Sequence, residues 1–579
     1  MIASFPALLY LALLAQSPAA DSLYRLALRL PESGLVVEAR ARPLAVREAV
    51  SEALARSVRA PGERGEALEV ARRLARSYGA AWDDPFLAVQ VQRFAGLAPG
   101  HRITKVRADS LRRAGVARFS RDGPAAAMTV WRRAVAAYRA IGDTAGMAGT
   151  LDNIGAAWVQ LGRRDSAATY LTRARLLATA IGDLRVHANA LGHLGDLSAD
   201  LGDPTRARER YGQARALRER IGDTRGVAAD HNNLGLLAQD MGDLEEARRQ
   251  FEAALALNRR EAREELAATN LVNLAGLASM EGDFATAGAF YRDALATWRE
   301  RDALAEAAVA LHGLGQLELR RGDYPAARTS LLEALKIYQR TGPPADAIGV
   351  RRALADALAA AGDLQGAVDQ LHQAQGSAES ASVDAGTRAA LALAGADLAS
   401  RMNALAEAER SYLEAERLYR QARDPQGEAE ARHGLGLLAL ARENTTHAET
   451  LLAAALRSQT TARNHRAAAL TRLSLGRVAW VRGDTGRARR LIAQATAELV
   501  RLGDQVGSAE AIGERAALEA GAGLAPVAES YYRAALQRIE GREAPETMWR
   551  LRAGLALALK AQGAGDAAAR EFRAAIDVI

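Results

Sequence analysis

Residues 233–254 read NLGLLAQDMGDLEEARRQFEAA. Two apolar stretches flank Gly242-Asp243, a pairing that stops one helix and starts the next. In the second stretch Ala247, Phe251 and Ala254 share one helix face, seven residues from first to last. The same slots return as Ala207, Tyr211 and Ala214, and as Ala167, Leu171 and Ala174. Outward from there, one alanine column runs Ala127, Ala167, Ala207, Ala247, Ala287, Ala327, Ala367, Ala408, Ala448, Ala488, Ala528 and Ala568. The step is 40 residues, with one step of 41. The second column lies seven residues on, from Ala134 to Ala575. A fixed period of this length marks a solenoid of stacked supersecondary units. Only a methyl fits where helix backbones approach closely, so each alanine pair predicts a packed helical hairpin.

The first helix of each unit, helix A, has its own marker. Leu194-Gly195, Leu234-Gly235, Leu314-Gly315, Leu435-Gly436 and Leu475-Gly476 recur, with Ile154-Gly155 in the same place. Leu-Gly on helix A is followed on helix B by Ala, an aromatic or Leu four residues on, and Ala three further on. This pattern resembles the tetratricopeptide repeat. Twelve copies cover about four fifths of the chain. The step exceeds that family's usual length of about 34 residues and is similar to the longer-helix variant of kinesin light chains and many bacterial scaffolds. The resemblance implies an all-α, right-handed α-solenoid, a superhelix of about twelve helical hairpins.

The turns follow from the same units. Gly202-Asp203, Gly242-Asp243, Gly282-Asp283, Gly322-Asp323 and Gly362-Asp363 fall between helices A and B. Gly142-Asp143, Gly182-Asp183, Gly222-Asp223 and Gly503-Asp504 fall between helix B and the next helix A. Glycine supplies the left-handed end of one helix and aspartate caps the next, each cap contributing about 1 kcal/mol.

Composition narrows the function. Hydrophobic residues make up 49% of the 579 and aromatics 5%, which suits helices packed on Ala and Leu. The net charge is +7, carried by Arg, with Lys only at Lys105, Lys336 and Lys560. Acids and bases interleave, as in Glu245-Glu246-Ala247-Arg248-Arg249, the pattern of a solvated helix face rather than a stripe that tracks phosphates. No nucleic-acid partner is expected. The chain has no cysteine, which excludes disulfides, thiolate metal sites and a cysteine nucleophile. Nine histidines are scattered, and His193, His312 and His433 sit in similar slots several repeats apart. Zinc needs its ligands about 2 Å away, so no metal site is expected. No glycine-rich phosphate loop or nucleophile–base arrangement stands out, so neither a cofactor nor an enzymatic activity is expected.

Four segments emerge. Residues 1–20 carry an apolar run, Phe5 to Ala15, and then Gln16-Ser17-Pro18-Ala19-Ala20, which reads as a signal peptide and an exported, periplasmic or extracytoplasmic protein; a cytoplasmic location is the alternative. No other segment is expected in a membrane. Residues 21–107 break the period with Pro31, Pro43, Pro61, Pro85 and Pro99, and read as an irregular helical cap. Residues 108–380 hold the first seven repeats, and 381–579 the later ones, with a phase slip at Gly376–Gly386. The sequence given stops at Ile579 inside a helix B, with Phe572 and Ile576 on its face. An apolar end of that kind is expected to meet a further domain or a partner.

The candidate site lies on helix A, which in the family lines the concave groove. The slot before Leu-Gly holds Asn153, His193, Asn233 and Asn273, with Asn232 beside Asn233. The kinesin light chain resemblance implies that such asparagines grip the backbone of an extended peptide, for an amide offers both a donor and an acceptor. The alternative is that they bond neighbouring helices. Later repeats carry Gly313, Ala353, Gly434 and Ser474 there. Trp131, Trp158 and Trp480 occupy packing positions. The expected function is a non-catalytic scaffold that binds a protein or peptide. The segment Leu26–Ser33, the long array and the abrupt end are also similar to the front half of bacterial proteins that join such repeats to a CHAT-type peptidase. Their catalytic Cys has no counterpart in this chain, so the chain would be a regulatory half. A self-associating solenoid is the third reading.

Overall fold

In a computed structural model of the protein, the described residues are 18–578 without 242, 282, 343–345, 381–382, 463 and 542–543. The expected leader therefore lies almost wholly outside them, as do Gly242, Gly282, part of the phase slip and Ile579. The described residues form 29 α-helices and one short 3-10 turn. From α6 (Pro99–Asp122) and α7 (Pro124–Ala140) to α28 (Pro545–Ala561) and α29 (Gly565–Ile576), the helices pair as the A and B arms of twelve hairpins. Contacts run between the arms and, within each unit, from each B arm to the next A arm. The chain divides into two compact units, Met1–Arg263 and Glu264–Ile579, each a helical solenoid. Gly376–Ser380, at the expected phase slip, form the end of a helix.

Both alanine columns are buried throughout, and only Ala568 at 3% and Ala575 at 4% show any surface. Between them, the large residue of helix B lies flat on helix A. A Cβ at Gly195 would stand 2.6 Å from Tyr211, one at Gly235 2.6 Å from Phe251, and one at Gly155 2.5 Å from Leu171. Leu-Gly is thus an approach point: the leucine fills the core and the glycine admits the ring. Replacing Ala247 with Leu overpacks a hairpin whose backbone contact has no room, at a cost of about 1–3 kcal/mol. A urea titration should show a lower midpoint; an unchanged midpoint would contradict the packing role.

The aspartates cap as expected. Asp203 accepts from the Arg206 N–H at 3.0 Å, Asp323 from Ala326 at 3.3 Å and Asp504 from Gly507 at 2.8 Å. The two turn classes differ in burial. Asp243, Asp283, Asp323 and Asp363, between A and B, are exposed, whereas Asp183, Asp223 and Asp504, between B and A, are buried. For Asp183 and Asp223 the cause lies outside the repeat. Helices α1 (Pro18–Arg29) to α5 (Phe86–Gly96) build a core of their own around Leu23, Leu35, Leu74 and Tyr78, against which Ala145 and Ile181 pack. That block seats on successive B–A turns of the first unit. The Tyr78 hydroxyl donates to the Ile221 carbonyl at 3.3 Å. Arg47 donates to the Tyr78 hydroxyl at 2.9 Å and pairs with Asp84 at 3.4 Å and Asp183 at 3.7 Å. Trp82 covers Gly222, where φ is +67° and a Cβ would stand 2.2 Å from the ring. At the other end of the chain, Phe572 is 36% and Ile576 68% exposed.

Candidate functional site

The candidate strip of the first unit is carried by α8 (Thr144–Gln160), α10 (Leu184–Asp200) and α12 (Thr224–Asp240), the A arms of three successive hairpins. Asp143, Asp183 and Asp223 cap them and fix their starts. Stacking at 40 residues per step then brings equivalent slots of successive arms side by side. His193 Nδ1 bonds Asp152 Oδ1 at 3.0 Å. The next step repeats the connection differently: Asn233 Nδ2 donates to Asp196 Oδ1 at 3.4 Å, and the Tyr211 hydroxyl donates to that same oxygen at 2.8 Å. Asn233 therefore bonds the neighbouring helix, the alternative reading of that slot, while its Oδ1 is buried with no hydrogen-bond partner among the described residues. The side chain of Asn153 is half-buried and makes no hydrogen bond among the described residues. Asn232 is half-buried as well. Asn273 lies on α14 (Glu264–Glu281), in the second unit.

The electrostatics are those of a polar strip on a dry floor. Burial opposes the charged form of His193, but Asp152 and then Asp196 outweigh it and hold the imidazole above its usual range. Burial raises the Asp196 carboxyl, with His193 opposing. Burial also pushes the Tyr211 phenol well up, and Asp196 adds to it. Beneath the strip, Arg218 of α11 (Pro204–Arg220) is 5% exposed and Asp230 1%. Arg218 donates to Asp230 Oδ1 and, at 3.2 Å, to Asn189 Oδ1, tying three helices together. Burial raises the Asp230 carboxyl to about 6 despite Arg218, which meets only one of its oxygens.

Asp152, Asp196, Tyr211, Arg218 and Asp230 were not among the expected site residues. The available signal was aspartate in the middle of helix A among Ala, Leu and Gly, where a carboxylate needs a partner. The Tyr–Asp pairing recurs in the second unit, where Tyr412 donates to Asp397, again 15 residues back. The histidines stay apart. His433 bonds Ser474 and Thr471, each at 3.1 Å, and burial followed by Arg477 lowers it to about 4. Burial and Arg352 likewise lower His312 to about 4. Among the described residues no group of three His, Asp or Glu could hold a metal, and no helix is long and apolar enough to cross a membrane. Trp131 is fully buried, while Trp158 and Trp480 pack partly buried against core clusters.

A family model described as tetratricopeptide repeat matches residues 186–260 and 265–340. No curated protein matches the chain. Among solved structures, BtubC (BKLC) from P. vanneervenii is 25% identical over 38% of this chain and 91% of its own, with a TM-score of 0.34. The APC/C hetero-tetramer Cut9–Hcn1 is 15% identical over 84% of this chain and 88% of its own, with a TM-score of 0.49. A signal-transduction ATPase with a tetratricopeptide repeat sensor, from Pyrococcus horikoshii, is 16% identical over 62% and 56%, with a TM-score of 0.40. The chain carries tetratricopeptide repeats over residues 186–260 and 265–340, flanked on both sides by helical hairpins of the same build.

Proposed function

We propose that the protein is a non-catalytic binding scaffold and that the inner strip of its first unit takes an extended segment of a partner protein. The observation that carries this reading is the state of the asparagine slots. Asp196 fixes the Asn233 amide through its nitrogen and leaves its oxygen as an acceptor without a partner. An unmet buried acceptor costs about 1–3 kcal/mol, and a peptide N–H is the donor that would meet it. Asn153 offers a donor and an acceptor one hairpin before His193. The strip is held in place in advance by Tyr211 and Asp152, which limits the ordering cost of binding. Interleaved charge gives no support to a nucleic-acid ligand.

The experiment is a pull-down to identify a partner, then titration of the wild type and of Asn153→Ala, His193→Ala and Asn233→Ala together. Three lost hydrogen bonds at about 1 kcal/mol each should weaken binding on the order of a hundredfold. Thermal melts of the variant exclude loss of fold as the cause. Unaltered affinity, with binding abolished by changes on helix B, would contradict the reading.

A further inference from the structure

The three arms that carry the strip start from three successive turns, at Thr144, Leu184 and Thr224. One block outside the repeat touches all three. Ala145 and Ile181 pack on the core of α1 to α5, and Trp82, the last residue of α4 (Arg64–Trp82), covers Gly222. A polar relay joins the second turn to the third. Arg47 of α3 (Pro43–Arg59) pairs at 3.7 Å with Asp183, the carboxylate that caps α10. Arg47 also donates to the Tyr78 hydroxyl at 2.9 Å, which donates to the Ile221 carbonyl at 3.3 Å, two residues before the Asp223 cap of α12. The relay is dry: the Arg47 side chain is 9% exposed, Tyr78 0% and Ile221 1%. From the side of the block, buried Asp84 pairs with Arg47 at 3.4 Å and accepts from the Phe86 N–H at 3.0 Å.

We propose that this N-terminal block is a strap that fixes the step between α8, α10 and α12, and with it the spacing of the slots at Asn153, His193 and Asn233. Arg47, Tyr78 and Trp82 are then positioning residues of the site, an inference that rests on reading the strip as the binding surface. Stacking alone connects each hairpin only to its neighbours, so small rotations at each step add up along a solenoid. A block seated on three turns at once removes that freedom, because its own core around Leu23, Leu35 and Leu74 holds the three seats at set separations. Slots spaced in advance lose less conformational freedom when an extended segment binds across them. The third seat depends on glycine. Gly222 has φ +67°, and only the missing Cβ lets the indole of Trp82 lie on its backbone.

Double electron–electron resonance on the free chain tests the strap. The chain has no cysteine, so Gln160→Cys with Asp240→Cys places two spin labels at the exposed last residues of α8 and α12 and nowhere else. With the block intact, the labels should give one narrow distance distribution. Gly222→Ala, whose added methyl meets the Trp82 ring, should widen the distribution and shift its centre. Gly142→Ala is the matched control: its φ is +66° with open space around it, so it carries the backbone strain alone and should leave the distribution narrow. Trp82→Ala, made on the block and not on the array, should widen the distribution as Gly222→Ala does. Trp82→Phe, which keeps an aromatic cover on Gly222, should keep it narrow. A block that stabilised only its own helices would move none of these distances. Equal distributions in Gly222→Ala and Gly142→Ala, or a distribution unchanged by Trp82→Ala, would overturn the strap. Circular dichroism melts run beside each variant separate loosening from unfolding. Because the free chain is measured, absence of a strap leaves the binding reading standing, and absence of binding leaves the strap standing.

Discussion

Replacing Arg218 with Ala should lower the stability of the first unit by about 3–5 kcal/mol at neutral pH, the cost of stranding a buried carboxylate. Arg218 is the cation that meets Asp230, and it also holds Asn189 on the preceding A arm. Without it Asp230 lies buried with both oxygens unmet. Asp230→Asn should cost less, because it removes the charge along with the demand for a partner. The pH dependence separates the two. The Asp230 carboxyl titrates at about 6 in the folded chain against 3.8 as its ordinary value. A carboxyl raised on folding binds a proton in the folded state that the unfolded chain has already released. Stability relative to Asp230→Asn is therefore gained as pH falls from about 6 to 4 and lost as it rises through that window, by about 3 kcal/mol in all. Urea titrations of wild type and both variants at pH 4.5 and 7 read it. A wild type that gains on Asp230→Asn as pH rises through the window would reverse the sign and contradict the burial argument.

Trp131→Ala should be about as severe, at about 3–5 kcal/mol. The ring is fully buried in the first hairpin, stacks on Phe119 with centroids 5.8 Å apart, and donates from Nε1 to the Arg112 carbonyl at 3.0 Å. It occupies the slot that Leu171, Tyr211 and Phe251 fill in later repeats, and Gly115 faces it as Gly155 and Gly195 face theirs. Removal leaves a large cavity between the first hairpin and the second. The loss should appear as earlier exposure of 99–160 in hydrogen exchange, ahead of the later hairpins, because a solenoid transmits damage mainly to its neighbours. A uniform loss of protection along the whole chain would show instead that the array unfolds as one body.

What could be read in the sequence was whatever the period repeats. The alanine columns, the Leu-Gly approach points and the aspartate caps each recur every 40 residues, and each records a contact inside one hairpin or between neighbours. Contacts that cross the period left no such trace. Gly222-Asp223 and Gly202-Asp203 are alike as dipeptides, yet one lies beneath Trp82 and the other is open. Nothing periodic marks Arg47, which joins the N-terminal helices to Asp183, or Arg401, which reaches Glu546. The asparagine slots were legible as a column, but their partners were not. Asp196, held by Tyr211, accepts from Asn233 across to a different hairpin, and only the stacking geometry brings them together.

The claim that a partner is bound along the inner strip of the first unit is tested most directly by hydroxyl-radical footprinting of the complex. Side chains of α8, α10 and α12, with His193 as the most reactive reporter, should lose reactivity on binding, while exposed Leu176 on the B arm and Ile103 before the strip stay reactive. Protection confined to the B arms, with His193 unchanged, would contradict the account.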